Sequence, residues 1–189
     1  QVLDLRRSPS SLAAPVAAKR AEARQVIDGY LKKSAEKFGE IVAEAEEDFH
    51  YEREHALTAP ITWLVAESQL TESGAEISIV IAGGIRGGYK KGKITLRDVL
   101  TVLPFGNTVG IVDIPGAEIT ALLEKRMLHS ADKGGYPIVA GLQLQVDSEA
   151  KKLTATIGGK PLDPKRKYKV ALNSYIGSGG TGYPDYISQ

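Results

Sequence analysis

Residues 136–174 read YPIVAGLQLQVDSEAKKLTATIGGKPLDPKRKYKVALNS. Within them, YPIVAGLQLQV, KLTATI and YKVALNS are short runs rich in β-branched and aromatic residues, separated by Gly, Pro, Asp and Ser. Such runs predict strands. Their connections are too short for helical crossovers, so hairpin-like pairing is expected. Helices and strands interleave upstream, but not as regular βαβ units. The chain therefore reads as α+β rather than a doubly wound sheet.

Working back toward the N-terminus, residues 116–130 predict an amphipathic helix with Ile119, Leu122, Leu123 and Met127 inward. Residues 108–114 predict a strand, and Thr95 caps a short helix ending at Leu103. Residues 83–92 form a glycine-rich loop carrying Arg86, and ISIVI at 77–81 is a buried-strand candidate. A helix is expected over 61–71, with Thr58 as its cap and Pro60 in its first turn. Residues 40–54 suit a strand followed by a charged loop. Residues 12–38 predict one long helix after Ser10 and Ser11, stopped by Gly39 and open to a break at Gly29. Its apolar positions Val16, Ala23, Val26, Ile27, Tyr30 and Leu31 form one stripe, expected to lie against a domain. The expected organisation is a linker helix over 1–39 and a domain over 40–189.

Composition narrows the function. Apolar residues make up 42%, enough for a packed core. The net charge of +1, from 24 basic and 23 acidic residues, gives no bulk field for nucleic acid or an anionic membrane. The basic stretch KPLDPKRKYK at 160–169 reads as a solvated turn. With no cysteine there is no disulfide, thiolate nucleophile or thiolate metal site. The first eleven residues show neither a signal-peptide core nor a transmembrane run. A small-molecule ligand and a monomer are expected.

The three histidines, His50, His55 and His129, have no metal-site spacing, whereas a hydrolytic dimetal centre needs about five or six N and O ligands. His129 suits a helix C-terminus, and Ser174 and Ser178 lack a His–Asp pair nearby in sequence. The glycine loops carry more. GGIRGG brings main-chain amides to the guanidinium of Arg86. PFGN sets the ring of Phe105 two residues from the amide of Asn107, and YIGSGGTGY sets Tyr175 and Tyr183 about a glycine turn. Two rings, an amide and an arginine on separate loops suit a flat heterocycle.

GGIR, KITLRDVLTVLPFGNTV, GAEITALLEK, YPIVAGLQLQVD and GGKPLDPKRKYKVALNSYIGSGGTGYPDY, in this order and spacing, resemble the C-terminal substrate-binding domain of the 5′-nucleotidase / UDP-sugar hydrolase family. The likeness reaches back through ITWLVAESQL to the first helix. It implies a four-layer α/β/β/α fold after a long interdomain linker helix, in a periplasmic or extracellular protein. The family's domain holds the nucleoside and presents phosphate to a dimetal phosphoesterase domain, where the divalent metals belong. No cofactor or metal is therefore expected here, and no phosphatase activity from this chain alone. The resemblance places ligand-binding residues at Arg86, Phe105, Asn107, Gly134 and Tyr175. At other family site positions the residues differ. Ile81 stands for an Asn, Ala82 for a Gly, Thr181 for an Asp, Thr62–Trp63 for a Gly–Asn pair, and Tyr51 and His55 fall near two arginines. These departures imply an impaired native nucleotide site. The alternative is a redesigned, largely apolar pocket lined by Trp63, Ile81 and Thr181, with His55 and Tyr51 as an acid/base pair.

Overall fold

The computed structural model describes residues 10–52, 55–147 and 149–187, with side chains from residue 19 onward. In it ISIVI forms β2 (Ile77–Ile81), with every residue buried. A strand can be buried throughout only if both its faces are covered. Here β2 lies inside a four-stranded sheet with β4 (Val109–Pro115), β9 (Lys167–Asn173) and β5 (Pro137–Ala140), in the order β4-β9-β2-β5. It pairs parallel with β9 and antiparallel with β5, while β4 pairs antiparallel with β9.

One face of this sheet is covered by α2 (Pro60–Ser73), whose Ala66 packs with Val80 and Ile138. On the other face Ile77, Ile79 and Ile81 share a core with Ile119, Leu122 and Leu123 of α4 (Gly116–Leu128). The same core takes in Leu153 and Ala155 of β7 (Lys152–Ile157). That strand belongs to a second sheet, β6 (Gln143–Asp147), β7 and β8 (Lys160–Pro161), paired antiparallel. The two sheets and the helices packed on them make a layered α+β domain.

The hairpin expectation holds for β6, β7 and β8 and needs correction on either side of them. YPIVAGLQLQV is two strands in two sheets, divided at Gly141. A φ of +79° turns the chain there, and a Cβ on Gly141 would lie 2.2 Å from the Glu76 carbonyl oxygen. Only glycine fits both conditions. β9, likewise, leaves the hairpins to join β2 and β4.

Local signals explain most boundaries. Thr95 and Asp98 form a reciprocal capping box at the start of α3 (Leu96–Val102). Hydrogen bonds from the Thr95 side chain and backbone hold the Asp98 carboxyl below the usual aspartate value. Pro60 opens α2, and Gly74 closes it in a left-handed conformation, its N–H reaching Leu70 O at 3.1 Å. The N-cap of α2 is Ala59, not Thr58. Thr58 Oγ1 instead donates to His55 O, and the buried Thr62 hydroxyl meets the carbonyls of Ala56 and Ala59.

The long helix, α1 (Ser10–Phe38), runs through Gly29 without a break, and β1 (Ile41–Ala45) follows it, paired with β3 (Gly92–Thr95). The stripe on α1 does not lie on the domain. Val26 is 59% exposed and Tyr30 72%, with Ala23, Ile27 and Leu31 also exposed. Val16, Ser10 and Ser11 lie outside the described side chains. An amphipathic pattern marks the face that can be buried and does not supply the surface that buries it.

Candidate functional site

Because β2 and β9 are parallel, their carboxyl ends lie at one end of the sheet. Ile81 pairs there with Pro137, the first residue of β5, and Asn173 with Val109, the first of β4. Loops leaving β2 and β9 thus meet loops entering β4 and β5. Crevices at strand carboxyl ends are the common ligand positions of sheets containing parallel strands.

These loops enclose a cavity of about 460 Å³, within the range of small-ligand sites. Its walls include Ile81 at the end of β2 with Gly83, Gly84 and Arg86 after it, Phe105 and Asn107 before β4, Asp132 and Gly134 before β5, and Asn173 at the end of β9 with Tyr175 and Thr181 after it. Phe105 and Tyr175 are 55% and 48% exposed, so neither ring is absorbed into the core. The Arg86 guanidinium lies 5.4 Å from the centroid of the Phe105 ring, a cation–π contact. Asn107 Oδ1 accepts from Ser174 Oγ at 3.4 Å, and Asn173 Oδ1 from Ile176 N–H at 3.0 Å.

The loop after β9 is strained. Thr181 sits at φ 51°, ψ 23°, with its hydroxyl bonded to Gly180 O at 2.8 Å. A β-branched residue in this left-handed region costs about 1–3 kcal/mol. The loop is pinned from below. Arg126, only 6% exposed, stacks 4.6 Å from the centroid of Tyr183, whose hydroxyl donates to Gly135 O at 3.2 Å. Burial raises the Tyr183 hydroxyl above the usual tyrosine value, keeping it a donor. Arg126 Nε and Nη2 have no hydrogen-bond partner among the described residues.

Of the residues singled out from sequence, Ile81, Arg86, Phe105, Asn107, Gly134, Tyr175 and Thr181 come together in this cavity. Trp63, His55 and Tyr51 do not. Trp63, on α2, lines a separate groove of about 190 Å³ with Leu57, Met127, Ile138 and Leu144. His55 is on the surface, its Nδ1 2.9 Å from Glu52 Oε2. The Tyr51 hydroxyl donates to Ala82 O at 2.8 Å, bracing the turn behind the cavity wall. With His55 outside the cavity, the acid/base pair is not assembled. The cavity itself mixes apolar Ile81, Phe105 and Tyr175 with polar Arg86, Asn107, Asp132, Asn173 and Thr181.

Sequence reasoning passed over Asp132 and Asn173. Asp132 had a signal in D-K-G, where an Asp two residues before a Gly favours a side-chain turn; its Oδ1 accepts from Gly134 N–H at 3.0 Å. Asn173 ends a buried strand as a polar residue. His129 takes the C-cap position of α4 as read, and Ser178 Oγ donates to Ser174 O. Among the described residues, no three His, Cys, Asp or Glu side chains cluster as a metal site requires, and no helix is long and apolar enough to cross a membrane.

Comparison with known proteins gives the same reading of the fold. The family model described as 5′-nucleotidase, C-terminal domain matches residues 39–187. Protein UshA of Salmonella pullorum is 36% identical over 121 residues, covering 64% of this chain and 22% of that protein. Trifunctional nucleotide phosphoesterase protein YfkN of Bacillus subtilis strain 168 is 33% identical over 178 residues, 86% of this chain and 12% of that protein. The chain thus spans 22% or less of these curated relatives. Among solved structures, the 5′-nucleotidase precursor from Thermus thermophilus superposes with a TM-score of 0.74 at 28% identity, over 88% of this chain and 36% of that one. With the family model spanning every strand and every loop of the cavity, the chain belongs to the 5′-nucleotidase C-terminal domain family.

Proposed function

We propose that this domain binds the nucleoside part of a nucleotide in the cavity at the carboxyl ends of β2 and β9. One observation carries the reading: two half-exposed rings, Phe105 and Tyr175, reach a single cavity from separate loops, beside Asn107 and Arg86. A base between two rings gains stacking of about 1–3 kcal/mol per base. The amide and guanidinium supply directed hydrogen bonds. Residues 1–39 act as a linker and residues 40–189 as the recognition domain of a longer periplasmic or extracellular hydrolase. Phosphate-ester cleavage then belongs to a metal-bearing domain outside this stretch.

Ile81 and Thr181 stand where the family keeps an Asn and an Asp, so the site is weakened rather than abolished. Isothermal titration of adenosine, guanosine and their monophosphates into the purified chain tests the reading. Binding of at least one of them, lost in Phe105→Ala, is expected. No binding by any of the four would refute it.

A further inference from the structure

The cavity's hydrogen-bonding groups are unevenly divided. Asn107 and Asn173 each have their amide oxygen engaged within the protein, at 3.4 and 3.0 Å, which leaves their N–H₂ ends as the unengaged ones. Arg86 can only donate. The Thr181 hydroxyl hydrogen is committed to Gly180 O. Asp132 is the only carboxylate lining the cavity among the described residues. Its Oδ1 takes the Gly134 N–H, and its Oδ2 has no partner among the described residues. Close to it lies a buried cation, Arg126. A Cβ on Gly135 would be 2.8 Å from Asp132 Oδ2 and 3.5 Å from Arg126 Cζ, yet no ion pair joins these two described side chains. A positive charge close to an acceptor lowers the cost of covering that acceptor with a ligand.

The pocket is thus rich in donors and has one strong acceptor. Its complementary ligand is a flat ring with several acceptors and one edge carrying adjacent N–H donors. Guanine fits this division. O6 and N7 accept, while N1–H and the 2-amino group lie side by side and can donate together to a carboxylate. Adenine does not, because its 6-amino donor adjoins the N1 lone pair, which a carboxylate oxygen repels. Cytosine fails for the same reason, and hypoxanthine lacks the second donor.

Resting on the nucleoside reading above, we propose that Asp132 is a specificity-determining residue of this site and selects guanine nucleosides over adenine nucleosides. The test is calorimetric titration of guanosine, inosine and adenosine into the wild-type chain and into Asp132→Asn and Asp132→Ser, both of which keep an oxygen able to accept from Gly134 N–H. Wild type is expected to bind guanosine about tenfold or more tighter than adenosine, with inosine between them, as charge-assisted hydrogen bonds predict. In both variants that ratio should fall to about threefold or less. Adenosine binding as tightly as guanosine in the wild type overturns the proposal and leaves the nucleoside reading intact. Persistence of the preference in either variant with a native circular dichroism spectrum also overturns it. If none of the three nucleosides binds, the nucleoside reading falls and this proposal with it. Should neither variant fold, the wild-type ratio still decides.

Discussion

The molecule has two concave regions that display aromatic rings, and they differ in how they are built. The groove beside Trp63 is lined mainly by side chains of α2, α4, β5 and β6, with Leu57 and Leu142 from the connections, all of them apolar. The cavity beneath Phe105 and Tyr175 is lined by loops from four strand ends, and polar groups from each arrive in it. Exposure does not separate them, since Trp63 is 45% exposed, close to Tyr175 at 48%. Convergence does. A ring on the side of regular elements has only its apolar neighbours, whereas a ring on a strand-end loop shares space with amides and charges that can orient a ligand.

The largest expected effect breaks or upholds this contrast directly. Phe105→Ala or Tyr175→Ala should weaken nucleoside binding about 10- to 100-fold, from the loss of one stacking surface, while Trp63→Ala should leave it within about twofold. Equal losses at Trp63 and Phe105, by titration calorimetry, would erase the distinction. Next comes the double substitution Ile81→Asn with Thr181→Asp, which should tighten nucleoside binding about tenfold by returning two directed hydrogen-bonding groups. His55→Arg should add nothing to it, since His55 lies outside the cavity.

A smaller effect concerns the support of the Phe105 loop. Asp98→Asn should lower stability by about 1 kcal/mol in urea unfolding near neutral pH, the usual worth of such a cap. The sign follows from the lowered carboxyl of Asp98. Its contribution is complete above the unfolded-state value of 3.8 and is lost as pH falls through the lower folded-state value. The gap between wild type and variant should therefore close below that range, and a gap that widens on acidification would contradict the cap. Smallest of all, saturating nucleoside should leave the Trp63 emission maximum in place. A blue shift would put the ligand in the groove instead.

How much of this was legible depends on what each residue's environment requires. ISIVI had to be an interior strand because no exposed strand tolerates apolar residues on both faces, and Thr95 marked a helix start through local chemistry alone. The glycine loops with Phe105, Asn107 and Tyr175 marked the cavity because their spacing matched a known arrangement. Trp63, Tyr51 and His55 lie outside the cavity because position along the chain does not say where a side chain points: Trp63 sits on the groove side of α2, and Tyr51 and His55 precede that helix. Asp132 was missed because its side chain serves two purposes, and the turn it makes with Gly134 hides the oxygen left over. The burial of Arg126 could not have been read at all, since it depends on Tyr183 returning from nearly sixty residues downstream to cover it.

The parallel pairing of β2 with β9 has a consequence for how the domain comes into being. These strands lie about ninety residues apart in the chain, and their contact is the one that brings the two halves of the cavity wall together. Such a contact closes late, because its loop-closure entropy must be met before any reward is gained. As the nascent chain lengthens, every helix from α1 to α4 can form before residue 167 exists, yet none of those intermediates can hold a ligand. Binding competence therefore waits for β9 and the loop that follows it, and a nucleoside bound there is expected to raise the melting temperature of the whole domain.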